Sequence, residues 1–287
     1  MVALQRVILF PGQGAQRPGM GAAVFDAYPE LLAHAEDIAG FSMRDFFLDC
    51  PAERFSDTRY VQPALYTVNA LHYRRYMEEG GAQPIFLAGH SLGEFNALQA
   101  AGVFDFETGL RLVKKRALLM SESHGGGMAA VLGLNAEEVV QVIAENNLSD
   151  LSVANFNSDL QLVISGPLES IKRAEEVFYD NYAIKYVVLK VSGAFHSTML
   201  DTAATEFGEY LQAFSFSPPQ LPVISNRTAC PYTAAAVVRN LAEHINQPVR
   251  WRQSVVYMRA HGAGEFIEMS GAALLLDMIK NIGADNI

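Results

Sequence analysis

The sequence predicts an α/β protein in which a large subdomain with a mainly parallel sheet carries a smaller inserted subdomain. Short apolar runs alternate with helix-forming segments along the 287 residues, as they do in parallel sheets. A strand, a glycine-flanked turn and a helix follow one another around Ser91. A block at 128–191 has its own regular order of strands and helices. These three observations predict the class.

The first apolar run, at 6–10, predicts a strand, and a glycine-rich loop follows it at 11–21. This loop is not a dinucleotide fingerprint, because Arg17 holds the position of the third glycine. It also lacks the Gly-Lys-Ser/Thr of a phosphate-binding loop. Its backbone N–H groups can still approach a substrate oxygen. Residues 22–80 are predicted to be mostly helical, with one helix over 63–79.

The segment 85–101 predicts a nucleophile elbow. An apolar strand runs into Gly-His-Ser-Leu-Gly at 89–93, and the helix that follows ends at Gly102. Glycines allow a tight turn, and the helix N-terminus directs free N–H groups towards an oxygen that becomes negative during attack. Ser91 is the predicted nucleophile, which makes the large subdomain α/β-hydrolase-like. The alternative is that Ser91 only caps the helix.

The block at 128–191 predicts a ferredoxin-like subdomain. Strands are expected at 128–132, 151–155, 161–165 and 185–191, and helices at 136–146 and 168–180. Their order is βαββαβ. Glycines 125–127 are predicted to form a hinge. The large subdomain is therefore expected to comprise 1–127 and 192–287, with a cleft between it and the small one.

Further helices and strands complete the large subdomain. Helices are expected over 105–122, 198–214, 233–245, 253–261 and 272–281, and strands over 221–225 and 264–269. In the helix at 105–122, the run Lys114-Lys115-Arg116 would by default form a solvated face.

Composition excludes several classes of protein. No apolar run approaches the roughly 20 residues that span a bilayer. A formal net charge of −10 without a broad basic face argues against nucleic-acid binding. Cys50 and Cys230 lack metal-ligand spacing, so free thiols and no metal site are expected. The N-terminus leads directly into a strand without a signal sequence, which predicts a cytoplasmic protein.

Ser91 needs a base to take its proton, and histidine is the usual base near neutral pH. Among the seven histidines, His196 is the best candidate because it lies where the small subdomain returns to the large one. His244 and His261 are the alternatives. No aspartate is evident as a third member of a triad, so a main-chain carbonyl or a neutral side chain is expected to orient the base.

Two other histidines lie in glycine-rich segments but are poorly placed for this role. His90 neighbours Ser91 in the tight turn, where its ring is badly placed to reach the adjacent hydroxyl. His124 begins a His-Gly-Gly-Gly segment that is similar to the oxyanion loop of lipases. That loop should precede the nucleophile, whereas this one follows it.

Several segments occur in the order seen in one enzyme family. They are Phe-Pro-Gly-Gln-Gly-Ala-Gln at 10–16, Gly-His-Ser-Leu-Gly-Glu at 89–94, Arg116, Gly-Ala-Phe-His at 193–196 and Pro-Val-Arg-Trp at 248–251. From residue 7 to about 280, the chain resembles malonyl-CoA:acyl-carrier-protein acyltransferases. It is most similar to the free-standing, trans-acting acyltransferases of modular polyketide synthases.

The resemblance implies a two-step transfer. Ser91 would attack malonyl-CoA with His196 as general base, and the N–H groups of Leu92 and Gln13 would hold the oxyanion. The phosphopantetheine thiol of an acyl carrier protein would then take the malonyl group. Malonyl-CoA is the implied substrate, no tightly bound cofactor is expected, and the protein is expected to be a monomer.

The resemblance also implies a substrate site. Arg116 would bind the free carboxylate of malonate, because a guanidinium offers two parallel donors to two oxygens. Phe195, immediately before the histidine, goes with malonyl rather than methylmalonyl selection in this family. His90 is expected to line the same site.

Two positions depart from the family pattern. His244 stands where Gln is usual, and the family uses the main-chain carbonyl of this residue to orient the catalytic histidine. His244 is expected to do the same, or to add a second titrating group. Near the C-terminus, Ser270-Gly271-Ala272 replaces a loop of Gly-Pro-Gly type.

Three alternatives remain open. The protein could be a malonyl transacylase of fatty-acid synthesis, or an esterase or thioesterase that passes the acyl group to water. It could also be a non-catalytic partner that uses the cleft for docking. An acidic carrier protein would need a local basic patch, for which the candidates are Arg17, Arg250, Arg252 and Arg259.

Overall fold

Two separate sheets organise the molecule. A computed structural model describes residues 5–51, 54–191, 193–271 and 273–283. Its strands are β1 (Arg6–Phe10), β2 (Phe86–Gly89), β3 (Gly126–Leu132), β4 (Ser152–Phe156), β5 (Gln161–Pro167), β6 (Lys185–Val188), β7 (Val223–Ile224) and β8 (Glu265–Glu268). Its helices are α1 (Ala22–Ala27), α2 (Pro29–Ala39), α3 (Met43–Asp49), α4 (Thr58–Glu78), α5 (Gly93–Ala100), α6 (Phe106–Ser121), α7 (Ala136–Glu145), α8 (Leu168–Asp180), α9 (Asp201–Leu211), α10 (Val237–Glu243), α11 (Trp251–Ala260) and α12 (Leu274–Lys280).

The larger sheet is parallel throughout, in the order β7-β2-β1-β8. Successive side chains of β1 point to opposite faces. Ile8 and Phe10 pack in one core with α4, α5, α6 and α9, whereas Val7 and Leu9 pack in another with α11 and α12. Burial on both faces is typical of a parallel strand with a continuous apolar sequence. Because the strands are parallel, the loops after β1 and β2 meet at the same edge of the sheet.

The smaller sheet is antiparallel, in the order β4-β5-β3-β6. Helices α7 and α8 pack in one core with it, through Val142, Ile171 and Phe178 against Val131 and Ile164. This connectivity is that of a ferredoxin-like βαββαβ unit. The predicted fold class, an α/β protein with a parallel sheet and an inserted antiparallel one, is confirmed.

The glycines at 125–127 differ from the expected hinge. Gly126 and Gly127 lie inside β3, where both pair with β5. A Cβ on Gly126 would lie only 2.4 Å from the main-chain nitrogen of Ala194, so this strand packs directly against the chain that returns to the large sheet. Ser192, where the large subdomain was expected to resume, lies outside the described residues. The division at 128–191 stays a prediction.

Helix α4 begins at Thr58 instead of Pro63. The sequence predicted the later start because the apolar stripe of this helix was traced over 63–79. Asp57 caps the true start, with its Oδ1 accepting the N–H of Arg59 at 2.9 Å. Pro63 removes one hydrogen bond from the helix interior. The fully buried Val61 and Leu65 on either side of it hold the turn by packing.

The other predicted elements are present with shifted ends. The expected helix at 198–214 is a short 3-10 turn followed by α9, and that at 233–245 is a 3-10 turn followed by α10. Cys50 and Cys230 are unpaired thiols, as expected. Within the described ranges, no helix combines the length and apolar character that a membrane crossing requires.

Candidate active site

The turn between β2 and α5 presents Ser91 in a strained conformation. Its φ of 50° lies in the left-handed region, which is unusual for a residue other than glycine. A Cβ on Gly89 would lie 1.9 Å from the main chain of Gly93, and a Cβ on Gly93 would lie 1.9 Å from the carbonyl oxygen of Phe10. Glycine is therefore required on both sides of the serine. The helix-cap alternative is wrong, because Leu92 holds the N-cap position of α5.

His196 is the histidine that the fold brings to Ser91. Its Nε2 lies 2.9 Å from the Ser91 Oγ, although 105 positions separate the two residues in the chain. His196 also has a left-handed φ, of 59°, in the turn that leads into α9. Its main-chain N–H donates to the carbonyl of Ile245 at 3.1 Å, which anchors this turn to the end of α10.

Main-chain carbonyls orient the His196 ring. Its Nδ1 lies 2.8 Å from the carbonyl oxygen of His244 and 3.2 Å from that of Gln247. A carbonyl can only accept, so Nδ1 carries the proton and Nε2 is free to accept one from Ser91. A main-chain carbonyl, as expected, stands where a triad would have its acid, and the nearer of the two belongs to His244.

The His196 imidazole is held in its neutral form. The residue is 3% exposed, and burial is the main cause that lowers the pKa of its ring to about 3. The nearby positive charge of Arg116 lowers this pKa further. A neutral ring is the form that can act as a base.

Arg116 is fully buried beside the nucleophile. One of its nitrogens donates to Ser91 Oγ at 3.1 Å, and another donates to Gln62 Oε1 at 2.6 Å. Its guanidinium also lies 5.6 Å from the centre of the Phe95 ring. Burial lowers its pKa to about 10, so it remains a cation at neutral pH. In the part of the chain that the structure describes, no carboxylate lies within ion-pair distance of it.

Leu92 and Gln13 line the same cavity as Ser91. A Cβ on Gly12 would lie 3.5 Å from the nitrogen of Leu92, so the first loop lies directly against the amide that follows the serine. The Gln13 side chain accepts a hydrogen bond from Thr58 Oγ1 at 3.2 Å, which ties this loop to α4. Both predicted oxyanion donors therefore belong to segments that meet at the nucleophile.

The cavity at Ser91 has a volume of about 240 Å³ and lies between the two sheets. Met128 and Val163 of the small sheet line it together with Phe195 of the large subdomain, as the predicted cleft requires. His90 also lines it, and its Nε2 lies 2.8 Å from Asn157 Oδ1. Within the described ranges, no cluster of three or more His, Cys, Asp or Glu residues could hold a metal ion.

Other candidates from the sequence lie elsewhere. His124 and His261 are exposed, and the latter contacts the carbonyl of Tyr257. Ser270 and Gly271 have positive φ values of 80° and 66°, and Ala272 lies outside the described residues.

Three of the four arginines considered for docking have partners within the chain. Arg17 donates to the carbonyl of Gly271. Arg252 pairs with Asp159, and Arg259 donates to carbonyls at the end of α12. Arg250 is exposed.

Sequence reasoning missed three polar residues of the site. Gln62 fixes the guanidinium of Arg116, and Asn157 fixes the ring of His90. Asn226 accepts the Ser91 N–H at 2.7 Å and donates to the carbonyl of Gly89 at 2.6 Å, so it holds the elbow from both sides. Gln62 could have been found, because a buried glutamine within an apolar helix stripe needs a polar partner.

Comparison with known proteins agrees with this geometry. The model of the acyl transferase domain family matches residues 7–285. The chain is similar to PksC of Bacillus subtilis, named a polyketide biosynthesis malonyl CoA-acyl carrier protein transacylase, with 46% identity over 96% of each chain. It is similar to BaeC of Bacillus velezensis, which carries the same description, with 44% identity over 96% of this chain and 95% of BaeC.

A solved structure shares the same architecture. The malonyl CoA-acyl carrier protein transacylase of Burkholderia pseudomallei superposes with a TM-score of 0.95 and 43% identity, over 99% of this chain and 100% of the other. The match covers both sheets and the cavity between them. The chain therefore belongs to the acyl transferase domain family.

Proposed function

We propose that this protein transfers malonyl groups from malonyl-CoA to the phosphopantetheine thiol of an acyl carrier protein, through a malonyl ester of Ser91. The observation that carries this proposal is the buried cation of Arg116, 3.1 Å from Ser91 Oγ and without a carboxylate partner in the described part of the chain. A buried charge is costly unless it is paired. A substrate with a free carboxylate would supply the missing partner.

The first step forms the ester. Ser91 Oγ attacks the thioester carbonyl while His196 Nε2 takes its proton, and the main-chain N–H groups of Leu92 and Gln13 stabilise the oxyanion. Each such donor typically lowers the barrier by about 3 kcal/mol. The malonate carboxylate on Arg116 offsets the positive charge that lowers the pKa of His196. Substrate binding therefore strengthens the base, and coenzyme A leaves with the proton from His196.

The second step moves the malonyl group to the carrier. His196 takes the proton of the phosphopantetheine thiol, the thiolate attacks the ester carbonyl, and the Ser91 oxygen leaves with that proton. Apolar side chains around the cavity, among them Met120, Met128 and Phe195, favour a slender thiol over bulk water. The names of PksC and BaeC support a role in polyketide biosynthesis, and the fatty-acid role is the less favoured alternative.

Intact-mass measurement tests the proposal. After incubation with malonyl-CoA, the protein should carry one malonyl group, and the Ser91→Ala variant should carry none. Adding a phosphopantetheinylated carrier protein should move the group to the carrier. An adduct that persists in Ser91→Ala, or fast release of malonate without a carrier, would contradict the transferase. Polyketide and fatty-acid carriers offered in parallel would separate those two roles.

Some expectations remain predictions of this proposal. They are a cytoplasmic location, a monomeric state and the absence of a tightly bound cofactor.

A further inference from the structure

A fully buried carboxyl group lies directly behind the nucleophile. Glu94 is in the first turn of α5 and has no exposed surface. Its Oε1 accepts the hydroxyl of Tyr232 at 2.6 Å and the main-chain N–H of Asn226 at 3.1 Å. The transfer chemistry described above uses none of these groups directly.

One oxygen of Glu94 connects to the elbow through Asn226. The Asn226 side chain holds both the N–H of Ser91 and the carbonyl of Gly89. The main-chain N–H of the same residue donates to Glu94. Glu94 therefore fixes the residue that clamps the strained turn.

The other oxygen of Glu94 connects to the base. Its Oε2 lies 3.0 Å from Nδ1 of His244, and both side chains are fully buried. The two atoms lie within ion-pair distance without forming a hydrogen bond. Burial lowers the pKa of the His244 ring well below its usual value, so the contact joins the carboxyl group to a neutral ring. The carbonyl of His244 accepts the Nδ1–H of His196, and the two rings lie 5.1 Å apart.

We propose that Glu94 is a positioning residue that holds both members of the dyad. It would act on Ser91 through Asn226 and on His196 through His244. Among the described residues, no carboxylate orients His196 directly. Glu94 on α5 would take that role indirectly, with His244 between it and His196. This inference deepens the proposed function and rests on it only for the identity of the acyl donor.

The complete burial of Glu94 and His244 supports a positioning role for them. Burial raises the pKa of Glu94 to about 7 and lowers that of His244 well below its usual value. A carboxyl group in such a place costs free energy that an apolar residue would not. Glu94 is nevertheless buried at the point where α5, the chain after β7 and the end of α10 meet. These segments carry the site.

The experiment measures the reactivity of Ser91 with phenylmethylsulfonyl fluoride, which modifies a serine activated by a base and needs no malonyl donor. Glu94→Gln and His244→Leu should each slow this reaction roughly 10- to 100-fold, because small displacements of a dyad cost that much. His244→Leu keeps the main-chain carbonyl, so its effect isolates the imidazole. His244→Gln restores a donor towards Glu94 and should lose less than His244→Leu.

Glu36→Gln is the matched control. Glu36 also accepts main-chain N–H groups, at the start of α3, but it does not line the cavity. This variant should react with the probe at the wild-type rate. For malonyl transfer, Glu94→Gln should lower kcat and leave KM for malonyl-CoA unchanged, because Arg116 is retained.

Clear outcomes would overturn the inference. A folded Glu94→Gln protein with the wild-type probe rate would do so, as would His244→Leu with that rate. If circular dichroism shows that Glu94→Gln does not fold, His244→Leu decides. A wild-type protein that reacts with the probe but takes no malonyl from malonyl-CoA would contradict the proposed function and leave the positioning result standing.

Discussion

Arg116 donates a hydrogen bond to the Ser91 Oγ at 3.1 Å, so a buried cation and the nucleophile share one cavity. Gln62 holds the guanidinium from the opposite side. In the described part of the chain, the cation has neutral partners there, which leaves its charge available to an incoming carboxylate. This arrangement makes selection of the acyl group testable.

Replacing Arg116 with Ala should remove the preference for a carboxylated donor. Loss of one partner from a buried charge pair typically costs about 2–5 kcal/mol, so kcat/KM for malonyl-CoA should fall by at least roughly 30-fold. Acetyl-CoA should gain relative to malonyl-CoA. Steady-state kinetics with both donors would measure this. Lys115→Ala is the control, since Lys115 lies beside the Tyr210 ring. Malonyl preference that survives Arg116→Ala would show that the cation has been misassigned.

In Glu94→Gln, which lacks the carboxyl group that titrates near pH 7, acylation of Ser91 should not show the inflection near pH 6.5 that an ordinary histidine would produce. The folded pKa of His196 is lowered to about 3, so the ring stays neutral between roughly pH 5 and 8. Rapid-quench measurement of the malonyl-Ser91 burst over that window would test this. A tenfold loss of rate between pH 7 and pH 5.5 that reports a group on the free enzyme would contradict the low pKa.

Glu94 should make the stability of the protein depend on pH. Its pKa is raised from 4.5 to about 7, so the folded protein binds a proton that the unfolded chain releases between these values. The stabilisation from this proton is present below pH 4.5 and is lost as the pH rises through about 7. Tyr232 donates to this carboxyl group and His244 lies against it, whereas the charge of Arg116 acts on it from beyond ion-pair distance.

Urea unfolding of wild type and Glu94→Gln at pH 5, 6, 7 and 8 would measure the effect. The advantage of the wild type over the variant should shrink with rising pH, by at most about 3 kcal/mol in total, because each pKa unit is worth about 1.4 kcal/mol. A difference that stays constant over this range would mean that Glu94 does not titrate there in the folded protein.

Gly93→Ala should disrupt the elbow. The new Cβ would lie 1.9 Å from the Phe10 carbonyl oxygen, so β1 or α5 would have to move. Overpacking of a rigid core site costs about 1–3 kcal/mol or more, and reactivity of Ser91 should be lost with it.

Gly208→Ala is the contrasting substitution for urea unfolding. Gly208 lies within α9, and its Cβ would meet Ala242 at an acceptable 3.4 Å. Alanine there should stabilise the helix by about 0.5–1 kcal/mol. Equal effects of the two substitutions would contradict the steric account of the elbow.

Much of the fold was predictable because its signals are local. Apolar runs with helices between them predict the parallel sheet, and the order of elements at 128–191 predicts the ferredoxin-like unit. Boundaries were less predictable. The apolar stripe predicted a helix from residue 63, but the Asp57 cap and the packing of Val61 and Leu65 place Pro63 inside α4.

Some residues of the candidate site have a local sequence signal, and others do not. Ser91 was predictable from its flanking glycines, because the tight turn requires glycine at the positions next to it. Arg116 comes directly after two lysines in the chain. Only the resemblance to a family distinguished it, as a substrate-binding residue, from these two. Its place on the buried stripe of α6, four residues before Met120, is the helical periodicity that marks it as inward-facing.

The sequence by itself determined the elements, the nucleophile and the histidine most suited to serve it, because these depend on neighbouring residues and on known motifs. Tertiary structure alone decided how Ser91 meets His196 across 105 positions, and how Glu94 lies between Asn226 and His244. Such contacts join segments far apart in the chain, and they exist only once packing removes water and leaves each buried polar group to find its partner.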